Sequence, residues 1–220
     1  MDSLHAMVSN RVGTGLNTGN EIATKGATVL LGKSTFTCKD GACASNSNML
    51  EIDNNFISVQ CFKDDTSCII DGREKQTLIR IWREDQGTSK IQGIMFTGGR
   101  AGSGTSGGAL AVRNPAVYVE VTFCVFTNCV SSDGGGAIYV ARSSRLTTFS
   151  TVFHNNVASN GRGDDILAET WAIISINETC PEPNEDRTIP RQGAPLKVRP
   201  RKSETTGRSI DHRHWHLPSF

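Results

Sequence analysis

Aromatic side chains are scarce in this chain, 6% of 220 residues, and no apolar run is long enough to cross a bilayer. A transmembrane segment is therefore not expected. An excess of one charge is lacking too. The formal net charge is +1, which leaves no global pull toward nucleic acid or a membrane surface. No Cys-x-x-Cys occurs and no histidine stands at metal-ligand spacing among the cysteines, so neither a zinc site nor a resident cofactor is expected. Met1 to Asn10 lacks the apolar core of a secretory signal. Helical periodicity is weak throughout, and Ala168-Glu169-Thr170-Trp171-Ala172 comes closest to it. What is plentiful is glycine, 22 residues, which suits a turn-dense all-β chain of one domain with room for a substantial core.

The positive signal is repetition. Gly107-Gly108-Ala109-Leu110-Ala111-Val112 returns 28 residues later as Gly135-Gly136-Ala137-Ile138-Tyr139-Val140. Each copy is followed by an alternating apolar run that ends in Asn, from Val119 to Asn128 and from Leu146 to Asn156. Another 28 residues on, Gly163-Asp164-Asp165-Ile166 occupies the place of a third copy. Upstream, Ile94-Met95-Phe96-Thr97 lies about one period before Phe126-Thr127-Asn128, and Cys68-Ile69-Ile70-Asp71 one period before that.

A unit of two or three short strands separated by Gly, Asn, Asp and Ser turns cannot bury its apolar face alone. Stacked on its copies, each strand pairs with its equivalent at roughly 4.8 Å, and the interior becomes a column of Ile, Val, Leu and Phe. Small residues and Asn then mark corners where the backbone bends or turns left-handed. The spacing predicts a parallel β-helix. Gly-Gly-Ala-Leu/Ile followed by Phe-x-x-Asn, here Phe153-His154-Asn155-Asn156, resembles the repeat pair of the polymorphic outer-membrane proteins. More broadly it resembles right-handed, pectin-lyase-like β-helices. The entry segment, Ile57-Ser58-Val59-Gln60 then Cys68-Ile69-Ile70-Asp71-Gly72, is similar too. The other copy departs from the pattern, reading Phe126-Thr127-Asn128-Cys129. The likeness covers about residues 28–180 and implies an all-β, right-handed, single-stranded parallel β-helix. That fold carries lyases, hydrolases, epimerases, adhesins and inert spacers, so activity has to be argued from particular residues.

Three regions are expected: a loose leader or cap over residues 1–26, the β-helix over 27–180, and a basic, Pro-containing disordered tail over 181–220. Seven cysteines occur as Cys38/Cys43, Cys61/Cys68, Cys124/Cys129 and a lone Cys180. Cys38–Cys43 and Cys61–Cys68 read as local disulfides of an oxidising compartment. Cys124 and Cys129 read rather as stacked core thiols, since five residues of straight strand hold the Cα atoms too far apart to bridge. Disulfides without a visible signal peptide leave a fragment of a longer secreted protein, a truncated chain or an intracellular protein. A truncated or fragmentary extracellular or cell-surface chain is the favoured expectation.

A carbohydrate-active β-helix needs polar residues one period apart on one face. Arg83, Arg113 and Arg142 each follow an inward strand and are the candidate basic ladder, suited to bidentate contact with carboxylate or sulfate. Solvated turn residues are the plainer reading, and Glu84-Asp85 beside Arg83 would neutralise part of the ladder. Asp164-Asp165 could hold Ca²⁺ or act as acid and base, but adjacent carboxylates rarely give glycosidase geometry and a corner turn is expected instead. His154 should point outward beside Phe153, with Thr127 and Thr97 in the neighbouring rungs, which leaves a catalytic role without partners. Asn128 and Asn155 are expected to form an internal ladder. Arg162-Gly163-Asp164 matches an integrin-type tripeptide, Asn177-Glu178-Thr179 a glycosylation sequon, and His212 to His216 a metal-binding alternation; the first and last read as incidental.

No catalytic cluster assembles from these residues. The leading expectation is a non-catalytic extracellular or cell-surface β-helix that binds a polysaccharide, surface glycan or surface protein through a polar coil face. The enzymatic alternative is a lyase or related carbohydrase acting on uronate polymers, the only reading in which Ca²⁺ enters. A structural fragment of a longer secreted repeat protein is the third.

Overall fold

The computed structural model describes residues 28–37, 48–53, 57–62, 68–82, 87–115, 117–177, 188–190 and 196–199. Its regular structure is entirely strand. The first coil carries β1 (Thr28–Leu31), β2 (Ser34–Thr37) and β3 (Asn48–Asp53), and the second carries β4 (Ser58–Cys61), β5 (Cys68–Asp71) and β6 (Thr77–Trp82). The third has four strands, β7 (Gly87–Gln92), β8 (Ile94–Thr97), β9 (Arg100–Ala101) and β10 (Leu110–Val112). The fourth follows it with β11 (Val117–Thr122), β12 (Val125–Thr127), β13 (Val130–Ser131) and β14 (Ile138–Val140). Then come β15 (Arg145–Phe149), β16 (Val152–His154), β17 (Val157–Ala158) and β18 (Ile166–Ala168). β19 (Ile173–Asn177), β20 (Thr188–Pro190) and β21 (Leu196–Arg199) complete the series.

Strands of the same place in successive coils pair in parallel. Sheet A runs β1-β4-β7-β11-β15-β19-β21, sheet B β2-β5-β8-β12-β16, sheet C β3-β6-β10-β14-β18-β20, and the short sheet D β9-β13-β17. The expected parallel β-solenoid is therefore formed, and its rungs fall where the repeats place them. Leu110 pairs with Ile138 and Ile138 with Ile166. Phe36, Ile70, Phe96, Phe126 and Phe153 form one inward column on sheet B. The rings of Phe96 and Phe126 stack with centroids 4.9 Å apart, and those of Phe126 and Phe153 at 5.3 Å. Each such side chain taken from water contributes about 1.5–3 kcal/mol, which is how a chain with few aromatics still gains a large core from them.

Corners follow backbone chemistry. Gly98, Asn128 and Asn155 stack as one column of left-handed residues, with φ of 59°, 53° and 52°. The internal Asn ladder expected at Asn128 and Asn155 is not formed there: both are exposed, because the left-handed turn swings their side chains outward. The interior place belongs to the next residue, Cys129 in one coil and Asn156 in the following one. Asn156 accepts the Cys129 N–H at 3.1 Å and donates its Nδ2 to Phe126 O at 3.0 Å, bridging two coils from inside. Ala168 to Ala172 is not helical either. Ala168 ends a strand stacked on Val140, and Trp171 turns the chain at φ 66° with its ring exposed.

The Gly-Gly-Ala repeat has a steric cause. A Cβ on Gly108 would lie 2.4 Å from Gly136 O and 2.7 Å from Val130 O, and one on Gly136 would lie 2.2 Å from Asp164 O and 2.6 Å from Val157 N. Sheets C and D press backbone to backbone at this point, and only glycine leaves room.

Pairing continues past the expected boundary at Cys180, since β20 extends sheet C and β21 extends sheet A. Residues 1–27, including the expected leader, lie outside the described residues, as do Cys38, Cys43, Cys180, His212 to His216 and most of 181–220.

Candidate functional site

Sheet C carries the most chemically distinctive outward face. Within Thr77–Trp82, Ile79 and Ile81 point into the core, so strand alternation sends Arg80 and Trp82 outward. The same alternation in neighbouring coils puts Glu51, Arg80, Ala111, Tyr139 and Leu167 in one outward column. Arg113, just past β10, donates its backbone N–H to Ile81 O at 3.0 Å and so stands beside Trp82.

Two guanidinium groups lie on aromatic rings here. Arg80 Cζ sits 4.4 Å from the centre of the Trp82 ring, and Arg113 Cζ 5.2 Å from that of Tyr139. The Nε atoms of both arginines are buried with no hydrogen-bond partner, consistent with coverage by the stacked rings. Hydrogen bonding at the terminal nitrogens is thin. Arg80 Nη1 is 3.9 Å from Glu51 Oε1, and Arg113 Nη2 reaches Ser106 O only at 3.5 Å. Burial lowers the pKa of Arg113, opposed by Tyr139; Arg80 lowers it further and Asp133 raises it. Arg113 remains a cation at any physiological pH.

Of the arginines expected to form a ladder, Arg113 is in this face. Arg83 lies outside the described residues. Arg142 is exposed and stands one residue beyond the rung equivalent of Arg113: it is Ala141 whose N–H donates to Val112 O, as Arg113 does to Ile81 O. Arg113 and Arg142 are thus not in one column, because the segment from β10 to Arg113 and the segment from β14 to Arg142 differ in length by one residue.

The other candidates fall into structural roles. Asp165 is buried and accepts Asn156 Nδ2 at 3.0 Å, while Asp164 accepts the Ala158 N–H at 2.8 Å, closing the last strand of sheet D. The Asp of Arg162-Gly163-Asp164 is therefore engaged inside the turn. His154 points outward and pairs with Thr127, which pairs with Thr97. Asn177 ends β19, between β15 and β21, and its Nδ2 donates to Thr148 O at 3.3 Å. Cys61 and Cys68 form a disulfide with Cα atoms 5.7 Å apart, whereas Cys124 and Cys129 are free and buried. Among the described residues, no three His, Cys, Asp or Glu side chains converge as a metal-holding group.

Arg80, Trp82 and Tyr139 were not singled out by sequence reasoning. The signal was available in strand parity: once Ile79 and Ile138 are assigned inward, Arg80 and Tyr139 must face out. Their convergence with Arg113 depends on coil length, which parity does not report. Comparison of the chain with protein-family models, curated proteins and solved structures returned no match.

Proposed function

We propose that this solenoid is a non-catalytic extracellular or cell-surface recognition protein that binds glycan or protein ligands through the outward face of sheet C. The observation that carries the reading is the seating of Arg80 and Arg113 on Trp82 and Tyr139. Aromatic faces and guanidinium forks held in place before a ligand arrives lose little conformational entropy on binding it. A regular rung spacing adds a flat platform whose side chains repeat at roughly 4.8 Å. The Cys61–Cys68 disulfide supports an oxidising compartment. The carboxylates first considered for a uronate-acting enzyme, Asp164 and Asp165, are engaged by backbone and Asn156, so they lend that alternative no support.

The test is a glycan array probed with the full chain, with the same glycans recovered after incubation and examined for cleavage. Saturable binding without product is expected, weakened by changing Arg80 and Arg113. Unsaturated uronate products would overturn the non-catalytic reading.

A further inference from the structure

Resting on that reading, we propose that the sheet C face is selective for sulfated polysaccharides, with Arg80 and Arg113 sharing a sulfate ester and Trp82 and Tyr139 bordering the sugar. The argument begins with charge. Two cations stand on adjacent coils of one small face, and the register places Arg80 against Ala111, the outward residue two positions before Arg113. Glu51 is the one carboxylate in ion-pair range of either guanidinium among the described residues, at 3.9 Å from Arg80.

Hydrogen bonding points the same way. A guanidinium presents five N–H donors, and among the described residues the terminal ones meet only Glu51 at 3.9 Å and Ser106 O at 3.5 Å while the rings hold each fork in place. A carboxylate offers two oxygens to arginine forks. A sulfate ester spreads its single negative charge over three terminal oxygens, so two forks can be held at once with less crowding. Ala111, the smallest side chain of that column, lies between Arg80 and Tyr139 and is itself covered, 1% exposed. Sheet A differs in degree. Its Lys90 already meets Glu120 at 3.3 Å, so that charge is spent within the protein. Arg145 over Tyr118, at 5.2 Å, is its single stacked guanidinium among the described residues.

The test measures binding of the full chain to dextran sulfate, polygalacturonate, uncharged dextran and a single-stranded oligonucleotide across a range of salt. Arg80→Gln with Arg113→Gln is compared with Lys33→Gln and Lys90→Gln, exposed positions outside sheet C, which changes net charge equally. Dextran sulfate should bind best and weaken as salt rises. The sheet C pair should lose about tenfold or more in affinity while the Lys33 and Lys90 pair changes little. Arg80→Lys with Arg113→Lys keeps the charge and removes the fork; it should also bind more weakly, which keeps the proposal testable if the Gln pair does not fold. Equal loss in both Gln pairs would show generic charge attraction and overturn the site. Polygalacturonate or the oligonucleotide binding as well as dextran sulfate would overturn the sulfated class. Inorganic sulfate matching the polymer at equal sulfate concentration would reduce the site to a small-anion site and overturn it too. Neutral glycans or proteins bound through Arg80 and Arg113 would leave the recognition reading standing and sink only its sulfate selectivity.

Discussion

Sheets A and C are built on the same solenoid, yet their outward faces treat charge differently. On sheet A, Lys90 and Glu120 occupy adjacent rungs and pair at 3.3 Å, both well exposed. On sheet C, Arg80 and Arg113 lie on rings, and among the described residues the one carboxylate in ion-pair range, Glu51, is at its edge, 3.9 Å from Arg80. Sheet A carries one stacked guanidinium as well, Arg145 over Tyr118 at 5.2 Å. The faces therefore differ in degree: one cation of sheet A is ion-paired and one rests on a ring, while both arginines of sheet C rest on rings. What matters is whether the opposite charge sits one rung away, cancelling it, or an aromatic ring does, holding it in place and leaving it available.

The strongest way to break this comparison is to remove the platform beneath one face. Ile138→Asp places a charge in the stacked core of sheet C and should cost about 3–5 kcal/mol, seen as a large fall in melting temperature. Val119→Asp does the same beneath sheet A, and the two variants should melt alike if the coils unfold together. Gly136→Ala comes next: its Cβ would meet backbone on two sides, so a loss of about 2–4 kcal/mol is expected, against almost none for Gly32→Ala, where a Cβ meets nothing within 4 Å.

Alkaline pH tests whether the faces share one interior. Burial pushes the thiols of Cys124 and Cys129 up to about 12 from the ordinary 9.0, overriding their backbone hydrogen bonds. A folded pKa above the unfolded one favours the folded state fully below pH 9, and that contribution is lost as pH rises toward 12. Denaturant melts should therefore show stability falling over this window, with both thiols unreactive to an alkylating agent at pH 8 until the protein unfolds. Alkylation of Cys124 or Cys129 in the native state would contradict their burial.

Smaller still is Cys124→Ser. Cys124 Sγ lies 3.3 Å from Thr122 O and 3.7 Å from Ile91 O, and one coil on Thr151 Oγ1 donates to Phe149 O and Val121 O in the same manner. A hydroxyl already works in this column, so a change of about 1 kcal/mol is expected by chemical denaturation. The smallest effect belongs to Glu120→Gln, within about 0–1 kcal/mol because the pair it breaks is exposed. It sharpens the contrast by uncovering Lys90: if sheet A then gains affinity for dextran sulfate, the charge-cancelling account of that face is supported.

Much of the fold was legible. Gly107, Gly135 and Gly163 announced one corner, and Phe126 and Phe153 one inward column, because left-handed corners and inward rings each demand a narrow choice of residue. The corner at Phe123 was not legible. It is left-handed at φ 54°, stacked between Gly93 and Ser150, and nothing in a bulky apolar side chain advertises that conformation. The Asn assignment failed for a related reason: with two asparagines in succession, Asn155 and Asn156, only the turn decides which one enters the core. The candidate site was half legible, since Arg113 was found and its partners were not.

By itself, then, the sequence determined the architecture: short alternating strands recurring about every 28 residues, glycine where backbones meet, and apolar residues at alternate positions leave stacked parallel coils as the way to bury them. Tertiary structure alone decided which outward side chains become neighbours. The distance between equivalent residues is 34 from Phe36 to Ile70 but 26 from Ile70 to Phe96, so lateral neighbours cannot be counted from a fixed period. Side-chain parity is a local property of each strand, whereas the meeting of Arg113 with Tyr139 depends on how much chain each coil spends in its turns.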